Sequence, residues 1–252
     1  MKNITTYLLL FFILVLVVAC QKEPNEQLPQ STGNKLKTYT EDVTDINSVH
    51  TVDSFVLAYD GSDRIISMTS VADTGQKFTY SYPSGNTIVK KVYIDGALSL
   101  HVEDFYVNNH VDSSFSVNDA GDTTTVKFIY NTAGQWAKQY EYDYSKVTGA
   151  VLFNTTNYTY DGGGNQVKEE DSNGQVIAYD FYTDKTYYHP MIGPAYIPVT
   201  KEYLIKTITV SSGGSVVETA AVSYTFDSKD RITSEKTVTD LGTVIIKRYT
   251  YY

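Results

Sequence analysis

Histidine, carboxylate, serine and cysteine are the side chains of this sequence that could carry chemistry, and their spacing decides what each can do. The four histidines, His50, His101, His110 and His189, never fall three to five residues apart, and the single cysteine, Cys20, lies far from all of them. Zinc ligation needs clustered donors, so no metal site is expected. His101 and His110 are near enough to meet across a hairpin, where a plain surface pair is the expected outcome. Glu103-Asp104 and Glu169-Glu170-Asp171 hold the carboxylates that a glycosidase pair would use. Neighbouring residues of a strand point to opposite faces, however, which works against adjacent carboxylates acting together. No Gly-x-Ser-x-Gly elbow occurs. Gly162-Gly163-Gly164 sits in a turn rather than before a helix, which sets aside phosphate cradling. Asp119-Ala120-Gly121-Asp122 has too few oxygen ligands for a calcium loop. The expectation is a protein that is not an enzyme and has no cofactor; the alternative is a polysaccharide-acting hydrolase using a carboxylate pair.

Binding is the chemistry that survives this search. Tyrosine is the compositional outlier, with 23 residues against 10 phenylalanines and one tryptophan. Such rings stack on sugars or cover a partner's edge strand, and Trp136, Tyr187, Tyr188 and Tyr196 are the candidate ligand-binding residues. The alternative for each is packing within the sheet, and a structural spacer would need no such patch at all. Net charge is −9, and an acidic surface repels phosphate backbones, so nucleic acid is not an expected partner.

The first residues place the chain at a membrane. Lys2 precedes an apolar run, Tyr7 to Ala19, of signal-sequence length and too short to span a bilayer comfortably. Leu16-Val17-Val18-Ala19-Cys20 resembles the bacterial lipobox, which implies a signal peptide over residues 1–19 and a lipid on the sulfur of Cys20. Acyl chains contribute about 0.8 kcal/mol per buried methylene, so two or three anchor a protein stably. Residues 20–38 are polar, with Pro24 and Pro29 and no apolar periodicity, and read as the lipidated cysteine and a flexible tether. The Gln21-Lys22-Glu23 opening is similar to the charged export tags of surface lipoproteins in Bacteroidota. It implies a lipid anchor in the outer membrane, on the cell surface or the periplasmic side.

The scaffold that must position these residues is read from repeats over 39–252, taken as one domain. An aromatic strand running into a tight turn recurs at Tyr59-Asp60-Gly61-Ser62-Asp63-Arg64-Ile65, at Tyr130-Asn131-Thr132-Ala133-Gly134-Gln135-Trp136, at Tyr160-Asp161-Gly162-Gly163-Gly164-Asn165-Gln166 and at Phe226-Asp227-Ser228-Lys229-Asp230-Arg231-Ile232. Weaker copies are Tyr82-Pro83-Ser84-Gly85-Asn86-Thr87-Ile88 and Val117-Asn118-Asp119-Ala120-Gly121-Asp122. Asp or Asn caps such a turn, and Gly, Asn or Asp accepts the left-handed backbone that reverses the chain. A second turn signal follows each clear copy, as at Ser172-Asn173-Gly174 and Asp240-Leu241-Gly242, and no segment after residue 38 has helical periodicity.

This unit is similar to the YD repeats of RHS proteins, and more closely to an uncharacterised family of Bacteroidota lipoproteins built from degenerate copies of it. In RHS proteins such repeats wrap a shell around a toxin, and this chain has too few copies for that. The resemblance implies an all-β fold of consecutive antiparallel hairpins forming one long twisted meander sheet, and no activity. The end strands of such a sheet stay open to pairing unless charged or covered. Because the sequence stops at Tyr251-Tyr252, the last strand is expected within the sheet. Residues 184–203, with Pro190, Pro194 and Pro198, break the rhythm and are expected to cross an end or face of the sheet irregularly. The anchored domain is thus expected to bind or scaffold, with glycan or protein as its ligand.

Overall fold

The computed structural model describes residues 35–71, 75–107, 110–145, 149–188 and 201–252. Sixteen strands follow one another in that span. They are β1 (Leu36–Thr44), β2 (His50–Tyr59), β3 (Ile65–Ser70), β4 (Lys77–Ser84), β5 (Thr87–Ile94), β6 (Ala97–Val107), β7 (His110–Asn118) and β8 (Thr123–Tyr130) in the first half. The second half is β9 (Trp136–Ser145), β10 (Gly149–Tyr160), β11 (Gln166–Asp171), β12 (Gln175–Tyr188), β13 (Lys201–Ser212), β14 (Ser215–Phe226), β15 (Ile232–Thr239) and β16 (Val244–Tyr251). Every strand pairs antiparallel with its neighbours in sequence, and β1 also pairs with β16, from Leu36 opposite Tyr251 to Thr44 opposite Val244.

The expected meander is therefore present, but it is not an open twisted sheet: it closes into a sixteen-strand barrel. The physical reason is the edge itself. An open meander would leave the backbone groups of β1 and β16 unpaired, and closure satisfies both rows at once. The last strand lies within the sheet, as its position suggested. The barrel also begins earlier than the domain boundary read from composition, because Leu36, counted with the tether, starts β1 and is 1% exposed.

Eight of the described turns share one geometry. A side chain accepts the N–H four residues on, at Asp45 to Val49, Asp60 to Arg64, Asn118 to Asp122, Asn131 to Gln135, Asp161 to Asn165, Asp171 to Gln175, Asp227 to Arg231 and Thr239 to Thr243. In each, the residue three places after the cap has positive φ: Gly at 121, 134, 164, 174 and 242, and Ser48, Asp63 and Asp230 elsewhere. This is a type I turn followed by a left-handed residue, the three-to-five-residue hairpin connection that suits the twist of antiparallel strands.

An up-and-down barrel sends alternate turns to opposite ends, and a two-strand repeat therefore puts every clear copy at the same end. The turns at 60–64, 131–135, 161–165 and 227–231 join β2–β3, β8–β9, β10–β11 and β14–β15, all at one rim. We call this the motif end and the other the plain end. At each of these four hairpins the register shifts just before the turn, so that residue pairs Tyr59–Ile65, Tyr130–Trp136, Tyr160–Gln166 and Phe226–Ile232 lie opposite each other. The later member of each pair is at most 6% exposed. The motif thus carries its own core: the turn reverses the chain and the bulge aims both flanking residues inward.

Side chains alternate accordingly. On β14, Ala220 and Val222 are buried while Ala221, Ser223 and Thr225 are exposed. The main core lines the seam, with Leu36, Phe55, Leu57, Met68, Phe78 and Tyr249 among its members. Tyr39 stacks on Phe55 and on Tyr249 at 6.1 and 5.7 Å between centroids, carrying ring contact from β16 across β1 to β2.

Candidate functional site

Buried polar groups inside a wall of tyrosines are the places where chemistry would be built. On β9 to β12, Gln139 Nε2 donates to Glu141 Oε1 at 2.5 Å, and Tyr158 donates its hydroxyl to Gln139 Oε1 at 2.9 Å. On the same wall, Tyr179 and Gln166 both donate to Glu169 Oε1, each at 2.7 Å. Burial pushes both Glu141 and Glu169 above the ordinary carboxylate range, and the hydrogen bonds from Gln139, Asn154, Tyr179 and Gln166 pull back only part of that shift. Burial pushes the Tyr158 phenol well above its ordinary range, and the charges of Glu169 and Glu141 add to the shift. Raised carboxyls are what a general acid requires, but here they are engaged by neighbouring amides and phenols, an arrangement that serves packing. Among the described residues no group of three His, Cys, Asp or Glu side chains could hold a metal.

The wall makes a pH prediction with a definite sign. A carboxyl whose folded pKa is raised binds its proton more tightly in the barrel than in the unfolded chain. Its contribution to stability is full below the unfolded value, near 4.5, and is lost as pH rises through the higher folded value. Glu169→Gln keeps an Oε1 acceptor for Tyr179 and Gln166 but cannot ionise, so the variant is expected to gain stability relative to the native chain as pH rises from 4.5 towards neutrality. Paired urea titrations at pH 4.5 and 7 check it, and equal differences at both pH values would refute it.

Two further inward ion clusters lie outside this wall. Lys247 meets Glu235 at 3.3 Å, beside Tyr39, which donates to Glu41. Lys90, its ammonium pushed down by burial and partly restored by Asp104, faces in from β5 and stands 5.4 Å from the Phe78 ring centroid.

At the motif end, tyrosine hydroxyls close the strand bulges. Tyr59 donates to the carbonyl of Leu36 at 2.8 Å, Tyr82 to Ile65 at 2.7 Å, Tyr130 to Val111 at 2.8 Å and Tyr251 to Ile232 at 2.6 Å. Each carbonyl belongs to a residue where the ladder shifts register and a backbone group would otherwise go without its strand partner. Arg64 lies over the Tyr82 ring and Arg231 over the Tyr251 ring, at 4.3 and 4.2 Å to the centroids. Lys35, bonded to Asp63, lies 4.4 Å over Tyr59 and forms with Tyr252 a shallow open notch on this rim.

The plain end has a different character. Its described hairpins expose Ile46 and Val49 between β1 and β2, Ile94 and Leu98 between β5 and β6, and Leu152 and Phe153 beyond β9. Val216 follows the Gly213-Gly214 turn, and Leu241 sits at the tip between β15 and β16. All of these are 45 to 62% exposed, whereas the four capped motif-end turns present Gly, Ser, Thr, Ala and charged residues such as Asp63, Lys229 and Asp230.

Of the residues picked out by sequence, Trp136 lies in the barrel interior, 6% exposed, stacked on Phe128 at 4.9 Å and donating its indole N–H to Tyr130 at 2.7 Å. Tyr187 and Tyr188 end β12, opposite Glu202 and Lys201. Cys20, Tyr196, His189 and the prolines of the expected crossing lie outside the described residues. His101 bonds Glu103 at 2.8 Å and His110 packs on Tyr130 at 4.6 Å, so the two histidines go to different partners. Glu169 faces in while Glu170 pairs with Lys168 at 2.7 Å, the opposite-face arrangement expected of adjacent strand residues. Sequence reasoning missed Gln139, Tyr158 and Tyr179, whose only signal is strand alternation, a signal shared with every tyrosine that merely packs.

No protein-family model matches the chain, and no curated protein matches it. Among solved structures it is similar to a porin-like protein from Bacteroides uniformis, with a TM-score of 0.61 and 13% identity, covering 86% of this chain and 98% of that one. A second is a porin-like protein from Bacteroides vulgatus, with a TM-score of 0.55 and 11% identity, covering 84% and 97%. At these identities the likeness is one of fold: the chain is an all-β antiparallel barrel of a shape also built in Bacteroidota.

Proposed function

We propose that this chain is a non-enzymatic module held at the outer membrane by lipid on Cys20, with its barrel standing in water, where it binds or scaffolds glycan or protein. The observation that carries this reading is the polarity of the wall. A barrel that spans a membrane turns an apolar band outward and keeps a polar interior. Here the interior holds Leu, Ile, Phe and Tyr beside Glu141, Glu169, Lys90 and Lys247, and the outer face, which also exposes Val56, Ile66 and Ile129, carries Thr40, Ser54, Ser67, Thr79, Lys127, Lys236 and Arg248 in the middle of its strands, where they interrupt an apolar band. A lysine or arginine on the lipid face at the bilayer midplane costs roughly 2–4 kcal/mol, so three such residues cost roughly 6–12 kcal/mol, comparable with the whole stability of an ordinary domain. The pore suggested by the names of the two similar structures is for that reason not carried over. The engaged state of Glu141 and Glu169 supports a role without catalysis, and Tyr187, Tyr188 and Tyr196 remain the residues proposed to meet a ligand.

Detergent phase partitioning of the full chain in its bacterial host tests the proposal. The native chain is expected in the detergent phase with incorporated palmitate; Cys20→Ser is expected to lose the label and move to the aqueous phase. A Cys20→Ser chain that stays with the membrane after carbonate washing would show that the barrel itself spans. Binding of a glycan panel by the same material, without release of free sugar, separates a binding module from a hydrolase.

A further inference from the structure

We propose that the plain end of the barrel is a membrane-docking rim, whose aliphatic hairpin tips enter the headgroup boundary of a zwitterionic lipid surface and hold the barrel upright on it. The proposal rests on the lipid-anchor reading of Cys20 for its biological setting, and on the rim itself for its physics.

Hairpin tips are ordinarily polar, because they gain nothing from burial and must stay soluble. At the plain end Ile46, Ile94, Leu98, Phe153, Val216 and Leu241 project from five different hairpins, each at least 45% exposed. The motif end of the same molecule has four turns built on the same cap and left-handed residue, yet fills their tips with Gly, Ser, Thr, Ala and the charged Asp63, Lys229 and Asp230, with Val107 and Ile129 its exposed large aliphatics. Turn geometry therefore does not demand the aliphatics. Apolar side chains gathered on one rim mark a surface that meets another apolar phase.

The length of the preceding chain allows a bilayer as the occupant even though that chain enters at the far rim. Lys35 and Leu36 enter the barrel at the motif end, the rim farthest from these tips. A lipid on Cys20 is 15 residues before Lys35, a reach of about 50 Å when extended. A nine-residue strand such as β1 is about 30 Å long. The tether can therefore run from the bilayer up the side of the barrel while the plain end rests on the lipid. Charge selects the kind of surface. Asp45, Asp95 and Asp240 lie at these tips, which disfavours anionic headgroups. Asp45 and Asp240 each accept backbone amides through one oxygen, Asp45 from Asn47 and Val49 and Asp240 from Thr219, which lowers the cost of bringing these two carboxylates to a headgroup layer.

Residues 35–252 hold all sixteen strands and close through β1 and β16, so a chain beginning at Lys35 keeps every described strand pair and serves for the test, with its cooperative melt measured first. It is expected to cosediment with phosphatidylcholine–phosphatidylethanolamine vesicles, less with vesicles carrying phosphatidylglycerol, and at least tenfold less as the Ile46→Ser/Val216→Ser/Leu241→Ser variant. Circular dichroism melting of the variant, and of Val216→Ser alone, keeps a folding failure from passing for a docking failure. Ile129→Ser, an exposed residue beside the motif end, is expected to leave binding unchanged. Absence of vesicle binding, or binding indifferent to the rim substitutions, overturns the proposal. Rim-dependent self-association without vesicle binding also overturns it and assigns the rim to a second copy. The phase partitioning of full-length Cys20→Ser reads the anchor separately, so failure of one reading is distinguishable from failure of the other.

Discussion

Deletion of residues 244–252 is expected to abolish the monomeric folded state. The deletion removes β16, which pairs with β15 on one side and β1 on the other, and so exposes two rows of unpaired backbone groups. It also strips the seam of its ring contact, because Tyr249, 5% exposed, stacks on Tyr39 from β16. The inward pair of Lys247 and Glu235 loses its cation and leaves a carboxylate facing the core. Size-exclusion chromatography with circular dichroism reads the outcome as aggregate or unfolded chain. A truncated chain that elutes as a monomer and melts cooperatively would mean that the meander is stable open and that closure contributes little.

The second large effect belongs to the residue that ends each motif copy. Ile65→Ala and Ile232→Ala are each expected to cost about 2–5 kcal/mol, the usual range for emptying a fully buried aliphatic site. Both are 1% exposed, and each carries the bulge carbonyl that a tyrosine from the next strand satisfies. Collapse of the wall around either cavity would disturb that hydrogen bond, so relaxation has little room to reduce the cost. Ile66, the next residue along and 39% exposed, supplies the control: Ile66→Ala is expected to stay within about 0.5 kcal/mol. Urea unfolding of the three variants decides the matter, and similar losses at positions 65 and 66 would refute the inward assignment of the motif.

The turns were legible because everything that makes them is local. A capping Asp60 or Asp227 lies four residues from the amide it accepts, and a left-handed residue follows the cap by three. Alternation likewise showed strands without helices. Closure was not legible, since Leu36 and Tyr251 are paired across nearly the whole sequence and no property of either residue names the other. A meander has the same local pattern whether its ends stay apart or meet. The interior wall fell between these cases. Glu169 stood out as one of three successive acids, but its partners Tyr179 and Gln166 come from a neighbouring strand and from a motif position that elsewhere holds Ile or Trp. Trp136 is a candidate ligand-binding residue by sequence because an exposed aromatic ring on a sheet can stack on a sugar or cover a partner strand. Its place in the motif, equivalent to Ile65 and Ile232, is what puts it inside.

An even number of strands returns the chain to the rim where it entered. Tyr252 donates its amide to the carbonyl of Lys35 at 3.0 Å, so first and last described residues touch. A molecule arranged in this way behaves like a lantern hung by a single hook. Whatever is attached before β1 pulls on one rim alone, and the far rim keeps its full circumference clear for whatever it faces. Lengthening the barrel's girth by whole hairpins would preserve that arrangement, whereas adding one strand would move the exit to the opposite side and spoil it. Growth by duplicated pairs is thus the route that leaves attachment and contact on separate poles.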